Sequence, residues 1–266
     1  MYEDLLPHHL PTEGERLDRM AHAHDPDTRA AISGLGLPPD ATCLDIGAGR
    51  GTVAIWLAET NPGASVVAAD LDLSQIVENS LSNLATKRID VLADPLGEEV
   101  YDLIHCRALL GFLPTRNELL DRFYHALKPG GAFVATEMDF GRIAQGPSRF
   151  WAAFWTAYLE FTTAQGWDFT YGATLPRQLA QRKFSPIEAK HIQPIVNYSG
   201  ETAGASEAHT WELTIATLAP RLIGDGHMPE ALVRDALDII RNPNAWTASP
   251  GFMVVTARRP VHEKAG

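Results

Sequence analysis

Residues 41–52, ATCLDIGAGRGT, decide the fold. The run is apolar and short enough for a buried strand, and it delivers Asp45 just ahead of a turn carrying Gly47, Gly49 and Gly51 at alternate positions. Behind the turn, TVAIWLAET has the spacing of a helix that packs on a sheet. Strand, acid, glycine turn and helix in that order form the nucleotide-binding corner of a parallel α/β sheet, where a ligand lies beyond the carboxyl ends of the strands. The glycines permit backbone torsions other residues avoid and let a ligand approach with no Cβ in the way. A dinucleotide fingerprint reads GxGxxG, whereas GAGRG has one residue fewer, which argues against NAD. No GK[ST] closes the turn, so it is not a P-loop either.

The LDIGAGRG pattern, an acid, a β-branched residue and GxGxG, resembles the first motif of the class I S-adenosylmethionine (SAM) dependent methyltransferases. The chain that follows supplies similar pieces in the family's order. SVVAAD (65–70) ends in Asp70, and an acid at the end of the second strand can accept from both ribose hydroxyls. RIDVLADPL (88–96) reads as a third strand ending in Asp94 and Pro95, where the family holds the adenine amino group. YDLIHCRALLGFLP (101–114) resembles the fourth strand and its exit, and LLDRFYHALKPGGAFVATEMD (119–139) the next helix, the KPGG turn and the fifth strand. The resemblance implies a Rossmann-like α/β fold, a seven-stranded mostly parallel sheet of order 3-2-1-4-5-7-6 with the last strand antiparallel, helices on both faces and a helical cap. It also implies SAM as cofactor, S-adenosylhomocysteine as product, and Asp45, Gly47, Ala48, Gly49, Asp70, Leu71, Asp94 and Pro95 at the cofactor site. Arg107, at the fourth strand's exit, stands where cofactor and acceptor would meet, and Arg16 is a candidate for the SAM carboxylate.

The 266 residues suffice for one large α/β domain with an elaboration. The expected division is an N-terminal segment over the cofactor site (1–40), a SAM-binding core (41–139), a cap with the sixth strand near 188–199 (140–249), and a final strand and tail (250–266). The formal charge of −11 disfavours a grip on phosphate backbones, which depends on clustered Lys and Arg. HCRA (105–108) stands where amino-methylating nucleic-acid enzymes of this fold carry [DN]PP[YF], so the expected partner is a small molecule and no nucleic acid. No apolar run approaches the ~18–20 residues of a membrane span. The early acids and missing h-region of the N-terminus make the cytoplasm the default location.

Within the first forty residues, Asp25 and Pro26 read as N-cap and first position of a helix running to about Ser33. His8, His9, His22 and His24 lack joining ligands at useful spacing and read as solvated surface. Leu73–Leu84 reads as a second helix. Cys43 and Cys106 read as reduced core thiols. Beyond the fifth strand, Trp151, Phe154, Trp155 and Tyr158 recur at helical spacing, lining one helix face with rings. Such a face either packs as core or, with Trp211, offers an apolar wall to a flat acceptor. Left uncovered, it would pair two copies as a homodimer.

Transfer to a hydroxyl or an acidic carbon needs a base, and histidine is the usual one near neutral pH. His209 beside Trp211 is the first candidate and His105 at the fourth strand's exit the second. No paired-acid or HxxxE cluster is visible, so metal-independent transfer is expected. The expected reaction is methylation of a small aromatic or polyketide-like molecule, O-methylation ahead of C- or N-methylation, in the manner of secondary-metabolite biosynthesis. The other readings are a SAM-binding cyclase and a non-catalytic partner on the same fold.

Overall fold

The structure is a computed structural model that describes residues 9–145 and 149–261. Its centre is a seven-stranded sheet of order β3-β2-β1-β4-β5-β9-β6. The strands are β1 (Thr42–Ile46), β2 (Ser65–Asp70), β3 (Leu84–Arg88), β4 (Tyr101–Arg107), β5 (Leu127–Asp139), β6 (Ile187–Ile192) and β9 (Gly251–Arg258). Strands β1 to β5 run parallel, and β9 is antiparallel between β5 and β6. The expected order is thus observed, with β9 as the seventh strand. A separate pair, β7 (Ile195–Val196) and β8 (Thr247–Ala248), stands beside the sheet.

Alternation along the strands builds a two-faced core. Cys43, Val66, Leu103, Ala132 and Val134 face α2 (Thr52–Thr60) and the end of α1 (Glu13–Ser33). Leu44, Ile104, Phe133, Ala135 and Val255 face α3 (Arg116–Ala126) and α5 (Tyr171–Gln181). Both cysteines are free and buried, and burial pushes the Cys43 thiol up to about 12, Asp102 adding to it. A third cluster, built by α4 (Arg149–Ala164), α6 (Ala203–Gly224) and α7 (Glu230–Arg241), forms the cap. Among the described residues no helix is long and apolar enough to cross a membrane.

Three local readings change. No second helix follows β2: Leu73–Gln75 is a short 3₁₀ turn and β3 begins at Leu84. Asp72 and Asn79 accept from the amides of Ser74 and Leu81, offering the backbone a turn in place of a helix. Asp25 is not an N-cap, because α1 runs unbroken from Glu13 with Pro26 inside it. Packing overrides the proline: Leu17, Ala21, His24, Thr28 and Ile32 form one buried stripe, and Asp25 is drawn inward by Arg29 and Arg107. The stretch expected as one strand over 188–199 is split after β6, with Pro194 in the break.

Helix α5 lies hard against β5. A Cβ at Gly172 would stand 2.7 Å from the carbonyl oxygen of Met138 and 2.8 Å from that of Glu137, backbone atoms that cannot step aside. Gly172→Ala should therefore cost about 1–3 kcal/mol of unfolding free energy. Denaturant titration with an unchanged m-value would confirm it; unchanged stability would show that α5 can slide.

Candidate functional site

The glycine turn closes the carboxyl end of β1 as the spacing requires. Gly47, Gly49 and Gly51 adopt φ of +69°, +54° and +73°, a region costly for any side chain. The turn is pinned by its neighbours: Ala48 N–H donates to the Ala69 carbonyl at 3.0 Å, and Gly49 N–H donates to Asp70 Oδ2 at 2.8 Å. Asp70 Oδ1 accepts from the Asp72 amide at 3.3 Å. Above the turn lies a cavity of about 350 Å³, walled by Gly47, Ala48, Gly49, Asp70 and Leu71 from the first two strand ends. From α1, Leu17, Met20 and Ala21 cover it. His105, Arg107 and Phe112 wall it from the exit of β4.

At the end of β3 the structure replaces the expected pair. Asp90, with Ile89, Val91 and Leu92, lines the cavity, whereas Asp94 and Pro95 do not. Strand β3 stops at Arg88, and the apolar letters 89–92 that extended it on paper form a turn. Asp94 Oδ2 accepts from Asp90 N–H at 2.9 Å, and Asp90 Oδ1 accepts from Leu92 N–H at 2.9 Å. Asp94 is thus a staple that shapes the loop presenting Asp90.

Asp45 and His105 are register partners on β1 and β4, so their side chains meet on one face. His105 Nδ1 lies 2.7 Å from Asp45 Oδ1, and Asp45 Oδ2 accepts from Ala54 N–H at 3.2 Å. Both are buried at the wall of the cavity, where the pair braces the start of α2. Arg107 donates to Asp25 Oδ1 at 2.6 Å, and Arg29 donates to Asp25 Oδ2 at 2.7 Å. Burial works against charge on Asp25, but the two guanidiniums and Thr52 outweigh it and hold its carboxyl below the usual range. Arg107 is thereby fixed with its base at the cavity wall. Arg16 does not line the main cavity: it grips Glu13 with two 2.8 Å contacts and faces a second, smaller chamber.

That chamber, about 50 Å³, shares Met20, Ala108 and Phe112 with the main cavity, so the two meet at these residues. Tyr158, Phe169, Trp211 and Phe252 wall it with rings, and Arg16, His24 and Glu207 bring polar groups to it. Of the expected ring face, only Tyr158 reaches the chamber, together with Trp211; Trp151, Phe154 and Trp155 are fully buried in the cap's core. Trp155 meets Trp211 edge-on at 5.0 Å and so holds that wall from behind. His209 is on neither wall: two positions before Trp211 it points to the helix's other side, its ring 3.9 Å from Tyr198 and its Nδ1 3.7 Å from Glu212.

Several residues in these walls escaped the sequence reading. Asp90 was hidden by a misplaced strand end, and His24 by its three histidine neighbours, of which His8 lies outside the described residues. A signal for His24 existed: it falls on the Leu17, Ala21, Thr28, Ile32 stripe of α1. Glu207 is four residues before Trp211, on the same helix face, and donates nothing but accepts from three directions: His24 Nε2 lies 2.8 Å from Oε2, and Trp211 Nε1–H and Ser249 Oγ–H donate to Oε1 at 2.7 and 2.5 Å. Glu137, fully buried, accepts from the amides of Leu109, Leu110 and Gly111 and so fixes the loop carrying Phe112.

Residues 44–133 match a family model described as a methyltransferase domain. Over 190 residues the chain is 28% identical to the methyltransferase str2 of Strobilurus tenacellus, covering 70% of this chain and 68% of that one. It is 33% identical over 142 residues to the secondary metabolism regulator laeA of Aspergillus fumigatus, covering 49% of this chain and 36% of that protein. In structure it resembles Haemonchus contortus phosphoethanolamine N-methyltransferase 2, described in complex with S-adenosylhomocysteine, with a TM-score of 0.60 at 15% identity over 98% of this chain and 60% of that one. The chain spans half, or less, of the length of several other curated relatives it matches.

With this corner, sheet order and family match, residues 44–133 form a methyltransferase domain on the class I SAM-dependent methyltransferase fold, whose cofactor is SAM. The residues present fit that cofactor: a cradle free of Cβ atoms, the Asp70 carboxylate at the second strand end, and Asp90 among Val91 and Leu92 at the third. Bound there, SAM supplies a methyl group on a sulfonium, an electrophile.

The buried Glu207 leaves a signature in stability. Burial alone would raise its carboxyl, but attraction to His24 and the hydrogen bonds from His24, Ser249 and Trp211 prevail, so its pKa lies below the ordinary glutamate value. A folded-state pKa below the unfolded one adds stability that is present above the unfolded value and is lost as pH falls through the folded one. Thermal melts between neutral and acid pH should accordingly fall, and Glu207→Gln should flatten that acid limb while lowering the neutral melting temperature. An equally steep acid limb in the variant would contradict the assignment.

Proposed function

We propose that the chain transfers the SAM methyl group to a small, aromatic or polyketide-like acceptor, at oxygen ahead of carbon or nitrogen, with side chains rather than a metal ion handling the proton. The observation that carries this reading is the ring-walled chamber that meets the main cavity at Met20, Ala108 and Phe112. Rings on several sides accept a flat, apolar molecule, while the few buried polar groups among them orient it. The likeness to str2 and to a protein named as a regulator of secondary metabolism supports an acceptor of that chemical kind.

In this reading Asp70 accepts from the ribose hydroxyls, Asp90 takes the adenine amino group, and the Val91 and Leu92 side chains flank the base. Leu17 and Met20 close α1 over the cofactor and keep water from the reacting atoms. Holding donor and acceptor in line accounts for the larger part of the rate gain, since effective molarities for well-aligned groups lower barriers by about 7–11 kcal/mol.

Calorimetry with S-adenosylhomocysteine tests the cofactor part. Asp70→Ala should weaken binding about ten-fold or more, because charge-assisted hydrogen bonds and the anchor of the glycine turn are both lost. Incubation of the wild type with SAM and a panel of phenols and enols should release S-adenosylhomocysteine. Binding of SAM with turnover of a panel member but no S-adenosylhomocysteine would instead identify a cyclase that keeps its cofactor intact.

A further inference from the structure

The small chamber holds a buried imidazole and carboxylate that join α1 to the cap. His24 and Glu207 are both nearly inaccessible to solvent, 3% and 1% exposed. Glu207 is held by Trp211 and Ser249, so its position does not depend on His24. A carboxylate only accepts, so at 2.8 Å the imidazole presents Nε2–H to Glu207 and turns its other nitrogen, Nδ1, away from it. Among the described residues nothing hydrogen-bonds to Nδ1, and the ring lines the chamber. An imidazole oriented through Nε2 by a buried carboxylate is the arrangement of a general base.

We infer that the small chamber receives the reacting hydroxyl of a phenol or enol acceptor, and that Nδ1 of His24 takes its proton, with Glu207 as the positioning residue. This rests on the methyltransferase reading above. The O–H bond breaks, the N–H bond forms, and the electron pair stays on oxygen as the nucleophile. The groups facing His24 suit that charge change. From α6, Glu207 stabilises the imidazolium; from α1, Arg16, paired with Glu13, favours the phenolate; from α4, Tyr158 is the remaining titratable group. Met138 of β5 and Phe252 of β9 are apolar, the Phe252 ring lying 4.1 Å from the imidazole. His105, the other histidine at the cavities, pairs with Asp45 through Nδ1 and lines the main cavity, not the small chamber.

The probe is 4-nitrophenol, added to protein loaded with S-adenosylhomocysteine at a pH where the free probe is mostly neutral, with the nitrophenolate absorbance as readout. Wild type should bind it and show more phenolate than the free probe. His24→Gln should bind S-adenosylhomocysteine unchanged and lose the extra absorbance, and its turnover with SAM should fall about 100-fold or more. Glu207→Gln should reduce the signal and shift its pH dependence. If His24→Gln does not fold, Thr214→Phe, which fills the chamber but keeps the base, must remove the probe signal. Equal phenolate in wild type and His24→Gln, or a signal surviving Thr214→Phe, would overturn the inference. So would wild type that binds S-adenosylhomocysteine but not the probe. Failure to bind S-adenosylhomocysteine at all would strike the cofactor reading instead.

Discussion

A fully buried carboxylate destabilises a protein unless its charge is answered, and Glu207 is answered from three parts of the chain at once. His24 comes from α1, Trp211 from the same helix, and Ser249 from the segment entering β9. Removing any partner would leave charge in an apolar setting, which is costly, so the pairing favours the observed placement of the three elements. That arrangement lays the Leu17–Met20 side of α1 over the glycine turn and sets the cap's rings around the small chamber. The N-terminal helix and the cap are thus joined by this pair over the site.

Beneath that cover the division of labour follows the chain. The strand ends of the first half present fixed, polar partners: Asp70 braced by Gly49, Asp90 braced by Asp94. The second half presents rings, most of them facing one another and only a few facing the chamber. The exit of β4 joins the two, because Glu137 gathers three consecutive amides and thereby holds Phe112 where the cavities meet. Burial raises the Glu137 carboxyl and the amides draw it down again, with burial ahead.

What the sequence disclosed was what is local. The glycine turn and the parallel order depend on spacing within a few residues, and both are observed, whereas the KPGG letters, expected as a turn, lie inside β5 (Leu127–Asp139). Whatever depended on a distant partner stayed hidden. Asp90 and Asp94 are both acids at the end of an apolar run, and only the true end of β3 tells them apart. Asp25 ahead of Pro26 is a sound helix start until Arg107, 82 residues away, pulls the acid into the interior. His209 beside a tryptophan looked placed for chemistry, yet the 100° step of a helix turns neighbours two apart to opposite sides. His24 read as surface because its partner Glu207 lies 183 residues on.

A crystal structure with S-adenosylhomocysteine bound tests the account most directly. The account predicts the adenine beside Asp90, the ribose on Asp70 and the sulfur facing the opening between Met20, Ala108 and Phe112. A ligand whose sulfur points away from that opening, or one bound outside the glycine turn, would contradict it.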